Sequence, residues 1–277
     1  MPLPFRLNRG ALAATCLATV ASVAQAPTLP AGEDSALARL NVSPRHGEWV
    51  RVDAGAGDSG MAWVVYPERR DRAPVVVVIH EIYGLTDWIR GVADQLAAEG
   101  FIAIAPDLLS GKGANGTGTP ADRQEAVRLV RALAPDEVAR RLASAATYAT
   151  RLPAARDRVA SIGFCWGGST SFAFATNFAS LRGAVVYYGT APDSTALPRI
   201  NGPVLGLYGG DDARVTATVE PTRGAMSRLN KRYDPRVYDG AGHGFLRDQA
   251  GRAGANQRAA EQAWPATVAF LRDALGR

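Results

Sequence analysis

The sequence predicts an α/β fold: a mostly parallel, twisted sheet of about eight strands with helices on both faces. Three observations lead there. Short apolar runs alternate with stretches of helical period along the chain, the pattern of βαβ units. The run Val75-Val76-Val77-Val78-Ile79 is apolar without a break, as a strand buried on both faces of a parallel sheet must be. Gly163-Phe164-Cys165-Trp166-Gly167-Gly168 joins an apolar run to a small-residue helical stretch, the layout of a sharp strand-to-helix turn.

The elements follow in order. Glu48–Val52 and Met61–Tyr66 read as antiparallel strands joined through the glycine-rich 54–60 turn. Val75–Ile79 is the third strand. Trp88–Glu99 is a helix closed by Gly100, and Phe101–Ala105 the next strand, stopped by Pro106 and Asp107. Leu108–Pro120 reads as a mobile, glycine-rich loop. Its Gly111-Lys112 pair lacks the spacing of a phosphate-binding loop. Helices are expected over Ala121–Ala134 and Pro135–Arg151, with Pro135 well placed at a helix start. Arg158–Phe164 is the strand into the turn and Trp166–Ala179 the helix out of it. Leu181–Tyr188, Pro203–Tyr208 and Arg232–Tyr238 are further strands, and 255–275 a closing helix.

Residues 1–24 read as a secretory signal. Arg6 and Arg9 precede an apolar stretch, Ala11–Val23, too short to span a bilayer. Cleavage after Ala24 is preferred to cleavage after Ala26, which would leave Pro27 just past the cut. The expected location is therefore periplasmic or secreted, with no stable membrane association after cleavage. Residues 25–47, rich in Pro, Ala, Gly and charge, read as a linker or irregular lead-in, and 48–277 as one domain. With 47% hydrophobic and 21% charged residues the balance is that of a globular protein. The net charge of +5 comes from scattered arginines; Lys112 and Lys231 are the only lysines. Without a basic block or interleaved aromatics, nucleic acid is not an expected partner. A monomer is expected.

Once residues 1–24 are removed, Cys165 is the sole cysteine, so no intramolecular disulfide can form. Placed where a nucleophile elbow carries its reactive residue, Cys165 is a candidate nucleophile. The amino end of the following helix favours its thiolate. His243, in the glycine-rich 239–245 loop, is the candidate base. His80 ends a core strand and reads as structural. Gly209-Gly210-Asp211-Asp212 follows a strand; both aspartates can orient an imidazole, Asp212 being the first choice and Asp211 a turn carboxylate. The order nucleophile, acid, histidine is that of α/β hydrolases. Three dispersed histidines and, past residue 24, one cysteine offer no metal cluster, and no cofactor is implied.

From about residue 48 onward the chain resembles the dienelactone hydrolase family of the α/β-hydrolase superfamily. The resemblance rests on His80-Glu81-Ile82-Tyr83-Gly84, Gly163–Gly168, Gly209–Asp212 and His243-Gly244-Phe245. It implies a Cys165–His243–Asp212 triad that cleaves an activated ester or lactone, including anionic ones, through a thioester. It also implies that Glu81 holds the resting cysteine as a poorly reactive thiol, and that the backbone N–H groups of Ile82 and Trp166 form an oxyanion hole. Arg247 matches one of the two arginines that hold a substrate carboxylate in the family. The second is missing, and Lys112 is the nearest replacement in that loop. Tyr83 and Trp88 are candidate pocket aromatics. Alternatives are a broad-specificity secreted carboxylesterase of the same family, a non-catalytic binder, or a thiol-redox protein using Cys165. The last lacks a second cysteine to resolve a sulfenate.

Overall fold

A computed structural model describes residues 27–276; the expected signal segment and its cleavage sites lie outside the described residues. Eight strands form one sheet in the order β1-β2-β4-β3-β5-β6-β7-β8. They are β1 (Gly47–Gly55), β2 (Asp58–Val65), β3 (Ala73–Ile79), β4 (Ile102–Pro106), β5 (Ala155–Phe164), β6 (Leu181–Tyr187), β7 (Val204–Gly209) and β8 (Tyr233–Tyr238). From β4 to β8 all neighbours are parallel, while β2 runs antiparallel to both β1 and β4. Pro235 sits in β8, an edge strand, where a missing N–H is tolerated.

The apolar run of β3 is explained by its two faces. Val76 and Val78 point into a core with the helix α2 (Asp87–Ala98) and the carboxyl-terminal helix, through Trp88 and Trp264. Val75, Val77 and Ile79 point the other way, against α4 (Pro135–Thr150) and α5 (Trp166–Asn177), through Leu142 and Phe172. Trp88 is thus a core residue, edge-on to Phe164 at 4.9 Å between ring centres. Register aligns Ile79 with Gly163 and Gly163 with Val186. The chain therefore leaves β3, β5 and β6 at one level, placing Glu81, Cys165 and Tyr188 along the carboxyl edge of the sheet.

Three segments depart from the sequence expectation. The lead-in is not irregular: α1 spans Glu33–Asn41 and packs on α2. Its apolar face is narrow, with Ala36 its only buried residue, so tertiary contact rather than periodicity holds it. The 108–120 loop is pinned. Asp107 accepts hydrogen bonds from the Leu109 and Thr119 amides and from the Thr119 hydroxyl, and Leu108 and Leu109 are buried. Two helices not anticipated, α6 (Ala213–Thr216) and α7 (Val219–Arg228), follow β7. α3 spans Arg123–Arg131 and α8 Ala255–Leu275.

Candidate active site

Cys165 stands between the last residue of β5 and the first of α5 with φ 56° and ψ −117°. A non-glycine residue held there carries about 1–3 kcal/mol of backbone strain, and its neighbours show why the turn needs glycine. A Cβ on Gly163 would overlap the Gly167 carbonyl, and one on Gly167 the carbonyls of Ile79 and His80. Helix and strand cross too closely for any side chain.

The thiol is half-buried, and burial is the first cause pushing its pKa up; the negative charge of Glu81 is the second. The backbone N–H groups of Trp166 and Ile82, together with the Arg214 guanidinium, pull the other way. Both amides thus bear on the sulfur. Glu81 is buried, and desolvation lifts its pKa to about 7 against the opposing pull of Arg247. Arg247 Nε lies 2.9 Å from Glu81 Oε2, an ion pair without the alignment of a hydrogen bond. Among the described residues no hydrogen bond joins Glu81 to Cys165; its partner is the arginine, and it acts on the sulfur through its charge.

His243 Nδ1 lies 2.5 Å from Asp212 Oδ2. Asp212 is buried, the imidazole one-third exposed. Asp211 instead pairs with Arg252 at 3.2 Å. The histidine loop is braced from below: Asn256 accepts from the Gly242 amide and donates to the Asp248 carbonyl. Tyr188 connects the two halves of the site, because its ring packs 5.1 Å from the imidazole and also lines the cleft beside Cys165. Among the described residues the imidazole makes no hydrogen bond to the sulfur.

A cleft of about 390 Å³ opens over Cys165, walled by Ile82, Trp166, Tyr188, Arg131 and Arg214. A larger depression, about 910 Å³, lies among Val159, Leu181, Pro203 and Arg232 at the opposite edge of the sheet, away from the sulfur. Neither expected carboxylate-binding cation lines the cleft. Lys112 is paired with Glu137 at 2.9 Å, and Arg247 is shared between Glu81 and Glu33 of α1, the latter at 2.6 Å. Tyr83 also stands outside the lining, its ring covered by the guanidinium groups of Arg123 and Arg247. The cations that do line the cleft, Arg131 at the end of α3 and Arg214 in α6, were not foreseen. Arg214 follows Asp212 by two residues, the one sequence cue available.

His80 is fully buried, its Nδ1 2.8 Å from the Glu81 carbonyl and its ring stacked on Trp166. Burial depresses its pKa, so it packs as a neutral ring behind the elbow. Among the described residues no group of three or more His, Cys, Asp or Glu side chains is placed to hold a metal ion.

The family model described as "Dienelactone hydrolase family" matches residues 61–275. The chain belongs to the dienelactone hydrolase family. It is 35% identical over 224 residues to the "Putative carboxymethylenebutenolidase" of Salmonella typhimurium, covering 75% of this chain and 80% of that one. The protein of the same name in Escherichia coli K12 is 32% identical over 237 residues, covering 80% and 85%. Among solved structures, the "Putative Dienelactone Hydrolase" of Klebsiella pneumoniae superposes with a TM-score of 0.72 at 29% identity, covering 82% of this chain and 98% of that one. A dienelactone hydrolase-like promiscuous phosphotriesterase from metagenomic libraries gives 0.69 at 25% identity, covering 84% and 99%. The family places this chain among the hydrolases, on an α/β-hydrolase fold.

Proposed function

We propose that this dienelactone hydrolase family member cleaves activated esters or lactones by acyl transfer through Cys165, His243 and Asp212. One observation carries the reading: a cysteine held at φ 56° on a strand-to-helix elbow, with the Trp166 and Ile82 amides bearing on its sulfur. At rest, burial and the Glu81 carboxylate keep it a thiol. With Nδ1 held by Asp212, His243 has Nε2 left to take the thiol proton. The sulfur adds to the carbonyl carbon, and the oxyanion is held by the Trp166 and Ile82 N–H groups. The acyl C–O bond then breaks, and the leaving oxygen takes the proton from His243. Water, deprotonated by the same imidazole, opens the thioester and returns the thiol. Because a thiolate is itself a good leaving group, the scheme favours esters of acidic alcohols or enols.

Where the substrate carries a carboxylate, Arg131 and Arg214 are the cations available in the cleft. Residues 1–24, read as a signal, would deliver the enzyme to the periplasm or beyond, as a monomer. Hydrolysis of p-nitrophenyl acetate by wild type and Cys165→Ala tests the reading. Turnover lost in the variant supports it. Equal turnover by both sinks it, and peroxide consumption without ester turnover points to thiol-redox chemistry instead.

A further inference from the structure

Beside the cleft runs a second hollow, about 290 Å³, between α4 and α5. It shares Trp166, Ser169 and Thr190 with the cleft. Its floor is one stripe of α5: Trp166, Ser169, Thr170, Ala173, Phe174 and Asn177. These positions are spaced three and four apart and so lie on one helix face. At 1.5 Å per residue the stripe extends roughly 16 Å from the residue after Cys165. The opposite wall is the matching stripe of α4: Pro135, Val138, Ala139 and Leu142. Cleft and hollow meet at Trp166, Ser169 and Thr190, so the trough between the helices begins beside the residue that follows Cys165.

The chemistry of the trough decides what it takes. No charged side chain lines the hollow. Most of the hydroxyls in its floor are already engaged. Ser169 Oγ accepts from the Thr190 amide at 2.8 Å and lies 3.2 Å from Thr190 Oγ1; Thr170 Oγ1 donates to the Trp166 carbonyl at 2.9 Å. What remains facing the space is mostly alanine, leucine, valine, proline and aromatic carbon. Such a surface gains from covering by apolar groups and offers a polar ligand little. The hollow, about 290 Å³, is close to the lower bound of small-molecule sites, roughly 300–1,000 Å³, and the cleft it adjoins is about 390 Å³.

We infer that the α4–α5 hollow is a substrate subsite, taking an uncharged aliphatic or aryl arm of the ester whose carbonyl is presented to Cys165. The inference rests on the proposed acyl transfer and adds the substrate's shape: a reactive carbonyl with a medium-length apolar arm. The arm belongs to the acyl or to the alcohol side, and each predicts its own chain-length dependence.

The test is a pair of ester series. One holds p-nitrophenol constant and lengthens the acyl chain from acetate to octanoate; the other holds acetate constant and lengthens the alcohol. Burying a methylene contributes about 0.8 kcal/mol, so kcat/KM should rise roughly three- to fourfold per carbon in the matching series. Ala173→Trp and Ala139→Trp fill the hollow from opposite walls, their folding checked by thermal melting. Each should lower the ratio of the longest to the shortest ester at least tenfold. Calorimetric binding of octanoate to wild type and to both variants reads the hollow without turnover. Octanoate bound by wild type and lost in the variants, with no ester hydrolysed, keeps the subsite and removes the hydrolase reading. Turnover with chain-length slopes unchanged by either tryptophan, or octanoate binding equally well to all three proteins, overturns the subsite.

Discussion

Arg247 Nη1 lies 2.6 Å from Glu33 Oε2, in a helix that stands ahead of the sheet in the chain. The same guanidinium places Nε 2.9 Å from Glu81 Oε2. One arginine therefore bridges the amino-terminal helix and the carboxylate that bears on the cysteine. Arg123 pairs with Glu33 as well, so two acids face two bases; Glu33 adds to the upward pressure on the Glu81 pKa, and Arg247 and Arg123 oppose it. Arg247 is occupied in restraining Glu81.

Glu81→Gln should make Cys165 more reactive and flatten the pH dependence of stability. The Glu81 carboxylate raises the thiol pKa, so removing its charge lowers that pKa. The iodoacetamide alkylation profile should then move to lower pH. Burial raises the Glu81 pKa from 4.5 to about 7, so across that window the folded chain binds more protons than the unfolded one. Glu81 therefore subtracts stability as pH rises from 4.5 through 7, by roughly 3 kcal/mol at most. Melting temperatures of wild type and variant at pH 5 and pH 8 measure it. A wild-type disadvantage confined to pH 8 is expected; an equal offset at both values excludes the linkage.

Asp212→Asn should lower kcat for an activated ester by roughly 10³- to 10⁴-fold, because an amide in place of the carboxylate 2.5 Å from Nδ1 favours the wrong imidazole tautomer. Asp211→Asn should stay near wild type, as Asp211 is paired with Arg252. Steady-state kinetics on the two variants decide it. Equal losses would mean that the loop, not the pair, is what matters.

The elements that read correctly from sequence are those whose cause is local. β3 declared itself because both of its faces are buried, and the elbow because Gly163 and Gly167 answer backbone crowding that no other residue tolerates. α1 was missed because a single buried alanine, Ala36, leaves no periodic signal. The pairing of Arg247 with Glu33 was not legible either, because it spans 214 positions in the chain and depends on that helix. Lys112 had the right charge in the right loop, but Glu137 on α4 takes it up, a contact that only the packed fold creates. Arg131 and Arg214 come to the cleft for the same reason: helix ends from two distant segments converge there.

Arg214→Ala should raise KM for anionic esters several-fold and leave neutral esters nearly unaffected, with Arg131→Ala acting in the same direction. Both line the cleft. The expected selectivity weakens with added salt, since both side chains are exposed. Equal losses for charged and neutral substrates at every ionic strength would remove the anion role. Arg214 also lowers the thiol pKa, so its variant should in addition shift the alkylation profile to higher pH, which Arg131→Ala need not do.

Arg141→Met should destabilise the fold by about 3–5 kcal/mol, the cost of breaking a buried pair on one side. Arg141 is only 7% exposed. Its Nε and Nη2 donate to the two Asp58 oxygens at 2.9 and 2.8 Å, and Nη1 donates to the carbonyls of Leu108 and Ser110 at 2.9 and 3.0 Å. One side chain thus ties α4 to β2 and pins the start of the 108–120 loop. Methionine fills most of the volume but leaves those carbonyls and much of the Asp58 charge without a donor. Arg140, at 38% side-chain exposure, meets the same carboxylate from the rim, and Arg140→Met should cost no more than about 1 kcal/mol. The two arginines hold the Asp58 pKa down at about 2 from 3.8, Arg141 foremost. This contribution is present above pH 4 and is lost as pH falls through 2. Urea denaturation of both variants at pH 7 and pH 3 separates the effects. Arg141→Met should be the weaker fold at both values, with its deficit narrowing at pH 3; equal deficits in the two variants would show that the buried guanidinium has no special role.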